Sequence, residues 1–290
     1  MTLEQYLQKR YTEQTAKAYQ REIESYLQNY PAAAKALHAD IVNYLGQLRQ
    51  RYYNARTISR ILSSIKAYYD FLSYTGKRKD NPAKSIRLRD KQSRDIQLQD
   101  LFTPEELESL LNRKERYNPL EYRNKVLMSF LIYQAVLPRE LAGITTDDIN
   151  LEQGTVYIKA TTKTNARTLQ LKPNQIMLLY HYINEVRPKL LKKIQNKETE
   201  KILLISHRGN PETVSSLVSH VKRMKHKFTG RTLNMQTIRQ SVITNLLKAG
   251  NDLRIVQVFA GHKYPSTTEK YKQTNVEALQ SVINQHHPIR

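Results

Sequence analysis

Residues Gln236 to Tyr271 read QTIRQSVITNLLKAGNDLRIVQVFAGHKYPSTTEKY, a stretch that resolves into three short helices. The first spans Met235 to Lys248, with Ile238, Val242, Ile243, Leu246 and Leu247 spaced for one buried face and Gly250 just past its end. Gln236 and Arg239 are three apart and so share a face of that helix. Asp252 is placed to cap the second helix, which carries Leu253, Val256, Phe259 and Ala260, and Gly261 supplies a stop that leaves His262 on the turn beyond. Ser266-Thr267-Thr268-Glu269 matches the capping-box pattern and opens the third helix, which puts Tyr271 a little over one turn inside it. One compact substructure therefore offers a guanidinium, an imidazole and a phenol, in that order.

Upstream of this stretch the pattern changes. Thr103-Pro104-Glu105-Glu106 begins a helix, with Thr103 as cap, Pro104 at the first helical position and acids in the first turn. An apolar helix follows near Arg123 to Val136. Alternating stretches at Thr155 to Ile158 and Thr168 to Leu171, separated by TTKTNA, predict a β-hairpin, and KILLIS (Lys201 to Ser206) predicts a third strand. The first part of the chain reads as a helical bundle: Glu13 to Asn29, with Thr12 as cap and Pro31 beyond; Asp40 to Tyr52; and Arg56 to Tyr74, ended by Gly76. The polar, basic segment beginning at Gly76 and punctuated by Pro82 reads as an interdomain linker. The expected division is a helical domain over residues 1–85, a basic linker over 86–99 and a mixed, mainly helical α+β domain with a small antiparallel sheet over 100–290.

The chain has 290 residues, long enough for two domains that each bury a core. It contains no cysteine, which excludes disulfides, thiolate nucleophiles and thiolate metal sites. No run of about 18 apolar residues and no apolar leader occurs, so a cytoplasmic location and no membrane partner are expected. The formal charge is +21, spread as +9 over residues 1–99 and +12 over residues 100–290. An excess of that size points first to a polyanion, with nucleic acid favoured well over a membrane surface, and with DNA as the partner it predicts binding that weakens steeply with salt.

The 36 residues quoted above resemble the C-terminal signature of the tyrosine recombinase (phage integrase) family, in which His-x-x-Arg, then Leu-Gly-His, then a Tyr nine residues later line the active site; His262 and Tyr271 keep that interval. The N-terminal helices resemble the family's SAM-like core-binding domain, and LFTPEELESLL resembles the opening of its catalytic domain. The resemblance implies a two-domain clamp on duplex DNA and a site-specific recombinase or integrase. Tyr271 would attack the scissile phosphate and form a 3′-phosphotyrosyl bond. Arg239 and His262 would stabilise the pentavalent transition state, and Lys163, on the hairpin turn, would be the general acid for the departing 5′ oxygen. It further implies four copies acting on two DNA sites, a C-terminal segment around Val276 to Gln285 that packs on a neighbour, accessory DNA-bending proteins as further partners, and neither cofactor nor metal. Integration or excision of a mobile element is the expected task, with resolution of dimers or DNA inversion close behind.

Two positions depart from the family pattern. Gln236 stands where most members have the His of His-x-x-Arg; glutamine donates a hydrogen bond but relays no proton near neutral pH. Aligning Glu140-Leu141 puts Leu137 where the family's first arginine belongs, leaving Arg139, two residues later and out of register, as the substitute catalytic cation. These departures motivate an alternative, a catalytically weakened recombinase-like DNA-binding protein; a type IB topoisomerase, which shares the covalent tyrosine, is disfavoured by the separate N-terminal bundle. Each residue also has an ordinary structural explanation. Tyr271 is one of 19 tyrosines, most of which pack, His262 could cap a helix, Arg239 could pair with a carboxylate, and Lys163 could be solvated. Their order and spacing favour the site. Tyr52, Tyr53, Tyr68, Tyr69 and Tyr74 read as core and interface residues of the first bundle, and His286 and His287 lie too near the end of the chain to be read as metal ligands.

Overall fold

The computed structural model describes residues 1–89, 101–112, 118–191 and 200–272. Most of the expected linker, the segment Val276 to Gln285, and His286 and His287 lie outside the described residues. The chain divides into two compact units, Met1–Arg94 and Asp95–Arg290.

The first unit is a bundle of α1 (Leu3–Arg10), α2 (Glu13–Asn29), α3 (His38–Arg51) and α4 (Ala55–Tyr74). Helix α1 was not anticipated, although its signal is local: Thr2 and Gln5 form a reciprocal capping box. The centre of the bundle is aromatic. Tyr26 and Tyr69 share a hydrogen bond of 2.7 Å between their hydroxyls, and Tyr69 also donates to the Ala33 carbonyl at 2.9 Å, so two buried phenols carry no unsatisfied proton. Tyr68 and Tyr69 are core residues as expected, whereas Tyr53, 102% exposed, and Tyr74, 58% exposed, are not.

The second unit is mainly α with a three-stranded antiparallel sheet. Its elements are α5 (Pro104–Ser109), α6 (Asn118–Tyr133), α7 (Pro138–Ala142), β1 (Ile149–Asn150), β2 (Thr155–Ile158), β3 (Arg167–Gln170), α8 (Pro173–His181), α9 (Arg187–Leu191), α10 (Val214–Lys222), α11 (Met235–Lys248), α12 (Leu253–Ala260) and α13 (Pro265–Lys272), with a π-helical stretch at Tyr182–Val186. The sheet order is β1-β2-β3, with Val156 opposite Ile149 on one side and Leu169 on the other. The expected hairpin is present, its second strand one residue earlier than read. The expected strand at KILLIS is not formed: that segment makes only isolated bridges, Thr145 with Ile202 and Ile205 with Pro211, and the third strand is the two-residue β1. Leu203, Leu204 and Ile205 are all buried, so their apolar run reflects burial on every side and not a pleat.

Helix α6 runs through the core of this unit, where Val126, Phe130 and Leu131 meet Tyr182, Leu203 and Ile238. The start of α5 is fastened to α11: the Phe102 N–H donates to Ser241 Oγ at 2.9 Å, and Asn245 Nδ2 donates to the Phe102 carbonyl at 3.0 Å. Helix α13 begins at Pro265, so Ser266 lies within the first turn instead of capping it, and Tyr271 falls nearly two turns in. Among the described residues no helix is long and apolar enough to cross a membrane.

Candidate active site

Helix α11 opens on Asn234, whose side chain accepts from the N–H groups of Gln236 (2.8 Å) and Thr237 (2.9 Å), and it buries Ile238, Val242 and Ile243. Arg239 lies on that buried face at 5% exposure. A guanidinium tolerates such a position only if its donors are satisfied. Its Nη1 donates to the Ala135 carbonyl and its Nη2 to the Ala260 carbonyl at 2.6 Å, which places the fork between the chain after α6 and the end of α12. Ala135 has φ +48°, a left-handed backbone that a non-glycine residue adopts at a cost of roughly 1 kcal/mol, directly beside the arginine it receives.

The end of α12 sets His262. Gly261 adopts φ +69°, its N–H donates to the Val258 carbonyl, and the His262 N–H donates to Gln257, the two bonds of a Schellman cap. A Cβ at Gly261 would lie 2.6 Å from Arg167 Nη1 and 3.0 Å from the Asn165 carbonyl, so glycine is required here for approach as well as for backbone angle. The His262 ring is 7% exposed; Nδ1 lies 2.8 Å from Thr268 Oγ1, and the ring stacks on Tyr271 with centroids 5.9 Å apart at 17°. Tyr271 itself packs against Ile243, Val256 and Ala260.

Burial, with the charges of Arg239 and Arg167, pushes the His262 pKa down to about 4, against a weaker opposing pull from Glu140. The imidazole is therefore neutral near pH 7. Burial raises the Tyr271 pKa while the Arg239 charge pulls it back, so the phenol is a proton carrier until it reacts. The His262 shift has a stability consequence. The folded value lies below the unfolded value of about 6.5, so the unfolded chain binds the extra proton between them. The associated stability is fully present above about pH 6.5 and is lost as pH falls toward about 4, to a total on the order of 3 kcal/mol. Urea midpoints at pH 7 and pH 4.5 should converge for His262→Gln relative to the parent chain; equal pH slopes in the two proteins contradict it.

The turn between β2 and β3 closes over the same place. Thr164 bridges to His262, the Asn165 N–H donates to the Gly261 carbonyl at 2.9 Å, and Thr164 Oγ1 donates to Glu140 Oε1 at 2.6 Å. Arg167, at the start of β3, grips the Glu140 carboxylate with both Nη atoms, at 2.8 and 3.1 Å, and both side chains are almost wholly buried. Burial pushes the Glu140 pKa up, but Arg167, the Leu137 N–H and the Thr164 hydroxyl together hold it below the usual carboxylate value. Replacing Arg167 with Met should destabilise this unit by about 3–5 kcal/mol, because a buried carboxylate loses its counter-ion; adding Glu140→Gln should recover part of that loss, a non-additivity readable by denaturation.

The structure thus brings Arg239, His262 and Tyr271 together. Lys163 sits exposed on the tethered turn, its N–H bonded to Thr161 Oγ1 at 3.1 Å. Gln236 is exposed on the first turn of α11, outside the buried cluster. Arg139 is also exposed and lines a small pocket with Tyr157, Lys159 and Thr161; the α7 side chain that enters the cluster is Glu140. Sequence reasoning did not assign Glu140, Thr164, Arg167 or Thr268 to the site. For Arg167 a signal existed: it shares the inward face of β3 with Leu169, where an arginine needs a buried acid. Among the described residues no group of three or more His, Asp or Glu side chains is arranged to hold a metal.

Comparison with known proteins agrees with this architecture. Residues 100–278 match the model of the phage integrase family, and residues 3–76 match the phage integrase N-terminal SAM-like domain. The fold is that of structurally characterised DNA recombinases. The Tn1549 transposon integrase in complex with transposon right end DNA superposes with a TM-score of 0.69 at 16% identity, over 97% of this chain and 100% of that one. A lambda integrase dimer bound to a COC′ core site gives 0.68 at 14% identity, over 93% and 92%. The chain belongs to the phage integrase family and is a tyrosine recombinase, an enzyme that breaks and rejoins DNA strands. Among its relatives are the tyrosine recombinase XerD of Listeria monocytogenes serotype 4b (strain F2365), 29% identical over 94% of this chain and 92% of the relative, and the tyrosine recombinase XerC of Halalkalibacterium halodurans, 28% identical over 90% and 85%.

Proposed function

We propose that this recombinase acts at a specific duplex site through a covalent intermediate on Tyr271 and serves the integration or excision of a mobile element. The observation that carries the reading is the packing of the Tyr271 ring on a neutral, buried His262 beside a buried guanidinium. In the step envisaged, the Tyr271 oxygen forms a bond to phosphorus, the bond from phosphorus to the 5′ oxygen breaks, the phenolic proton leaves to solvent, and Lys163 supplies a proton to the departing 5′ oxygen. Arg239 and the Nε2–H of His262 stabilise the charge gathering on the non-bridging oxygens. Gln236 and Arg139, exposed near the cluster, add phosphate contacts. Four copies on two sites would exchange strands in pairs, with accessory DNA-bending proteins as candidate helpers. The transposon integrase among the structural neighbours favours the mobile-element role.

The second reading, a weakened recombinase that binds and pairs sites with little cutting, is favoured by Leu137 at the family's arginine position and by the exposed Gln236. One experiment separates the two. A binding selection from random duplex DNA supplies a site, and a nicked version of that duplex traps the cleaved product. The enzyme reading expects a protein–DNA adduct stable to denaturant, with a free 5′ hydroxyl on the released strand. A bound duplex that yields no adduct supports the second reading.

A further inference from the structure

A neutral imidazole carries one proton on two nitrogens, and its neighbours decide which nitrogen holds it. In His262 the Nδ1 atom is committed to Thr268 Oγ1 at 2.8 Å, so Nε2 is the nitrogen left to meet a substrate. Thr268 is 0% exposed and lies on α13, one turn before Tyr271 and hence on the same face as that residue. A buried hydroxyl has a single proton to place. If it donates to Nδ1, ring and hydroxyl are satisfied by one bond; if it accepts from an Nδ1–H, its own proton needs a second acceptor, and among the described residues the ring is its hydrogen-bond partner.

We propose that Thr268 is a positioning residue whose hydroxyl donates to Nδ1 of His262 and so fixes the ring in the tautomer that carries its proton on Nε2. That tautomer presents a donor outward; the opposite one would present a lone pair, which repels an anionic phosphate oxygen. The same bond ties the helix bearing the phenol to the turn bearing the imidazole, in parallel with the 5.9 Å ring stack. What Nε2–H meets rests on the phosphoryl transfer proposed above; the tautomer itself does not.

The test uses the full chain with 15N-labelled histidine, without DNA, at pH 7, the His262 signals being identified by their disappearance in His262→Gln. The parent should show a protonated, pyrrole-type Nε2 and an unprotonated, pyridine-type Nδ1. Thr268→Val, which keeps the shape and removes the hydroxyl, should lose that single-tautomer pattern and move both signals toward averaged positions. Thr268→Ser should restore it. Covalent trapping on nicked duplex should slow about tenfold in the valine variant and recover in the serine variant. A proton on Nδ1 in the parent overturns the proposal without any variant, so it stays falsifiable should the valine protein not fold. An unchanged pattern in Thr268→Val overturns it equally. A parent with the expected tautomer but no adduct on DNA leaves the positioning role intact and counts against the recombination chemistry instead.

Discussion

Tyr271→Phe should abolish the covalent adduct, lowering its rate of formation by at least about 10⁴-fold, while leaving duplex binding and folding intact. The expectation follows from what the substitution keeps. Phenylalanine preserves the ring that stacks on His262 and packs on Ile243, Val256 and Ala260, so only the hydroxyl oxygen, the proposed nucleophile, is lost. Stability should change by no more than about 1 kcal/mol. Filter binding in rising salt, which reports phosphate contacts, should give the same slope for both proteins. An adduct that persists in the phenylalanine protein assigns the nucleophile to another residue.

The second large effect concerns Arg239, and Arg239→Lys is the informative change. An ammonium retains the charge but not the planar fork, which here holds the Ala135 and Ala260 carbonyls while lying beside the ring pair. Cleavage should fall on the order of 10³-fold, the size associated with losing a preorganised donor to a charge-accumulating transition state. Arg239→Ala should add a stability loss of about 2–4 kcal/mol, since two buried carbonyls then lack their donor. Thermal denaturation separates the two contributions. Cleavage by the lysine variant within about threefold of the parent would mean that the charge alone suffices and the fork does not act on substrate.

The legibility of this fold follows the range of the interactions that make it. Helices α11 and α12 could be read because each carries its own punctuation: Asp252 caps α12, Gly261 stops it, and the apolar spacing of α11 marks its buried face, whereas the cap expected at Ser266 falls inside α13, which begins at Pro265. The buried chemistry around them was hidden, because Glu140 meets Thr164 and Arg167 across 24 and 27 residues and no local pattern marks a polar pair formed at that distance. KILLIS misled for a different reason: a run apolar on every side satisfies strand and irregular core segment alike. The two-residue β1 is too short to express any period. Tyr53 shows the limit of composition: read with its neighbours as a core or interface residue of the bundle, it lies wholly outside the core.

The left-handed turn at Gly261 does two jobs at once. It aims His262 into the cluster, and its carbonyl anchors the Asn165 N–H of the turn that carries Lys163. A polyanion that drew this turn off its ledge would break the anchor and leave the Gly261 carbonyl, next to the imidazole, short of its donor. Lys163, the proposed proton donor, and the imidazole are therefore harnessed to one hinge, and neither can be repositioned on DNA as though the other were absent.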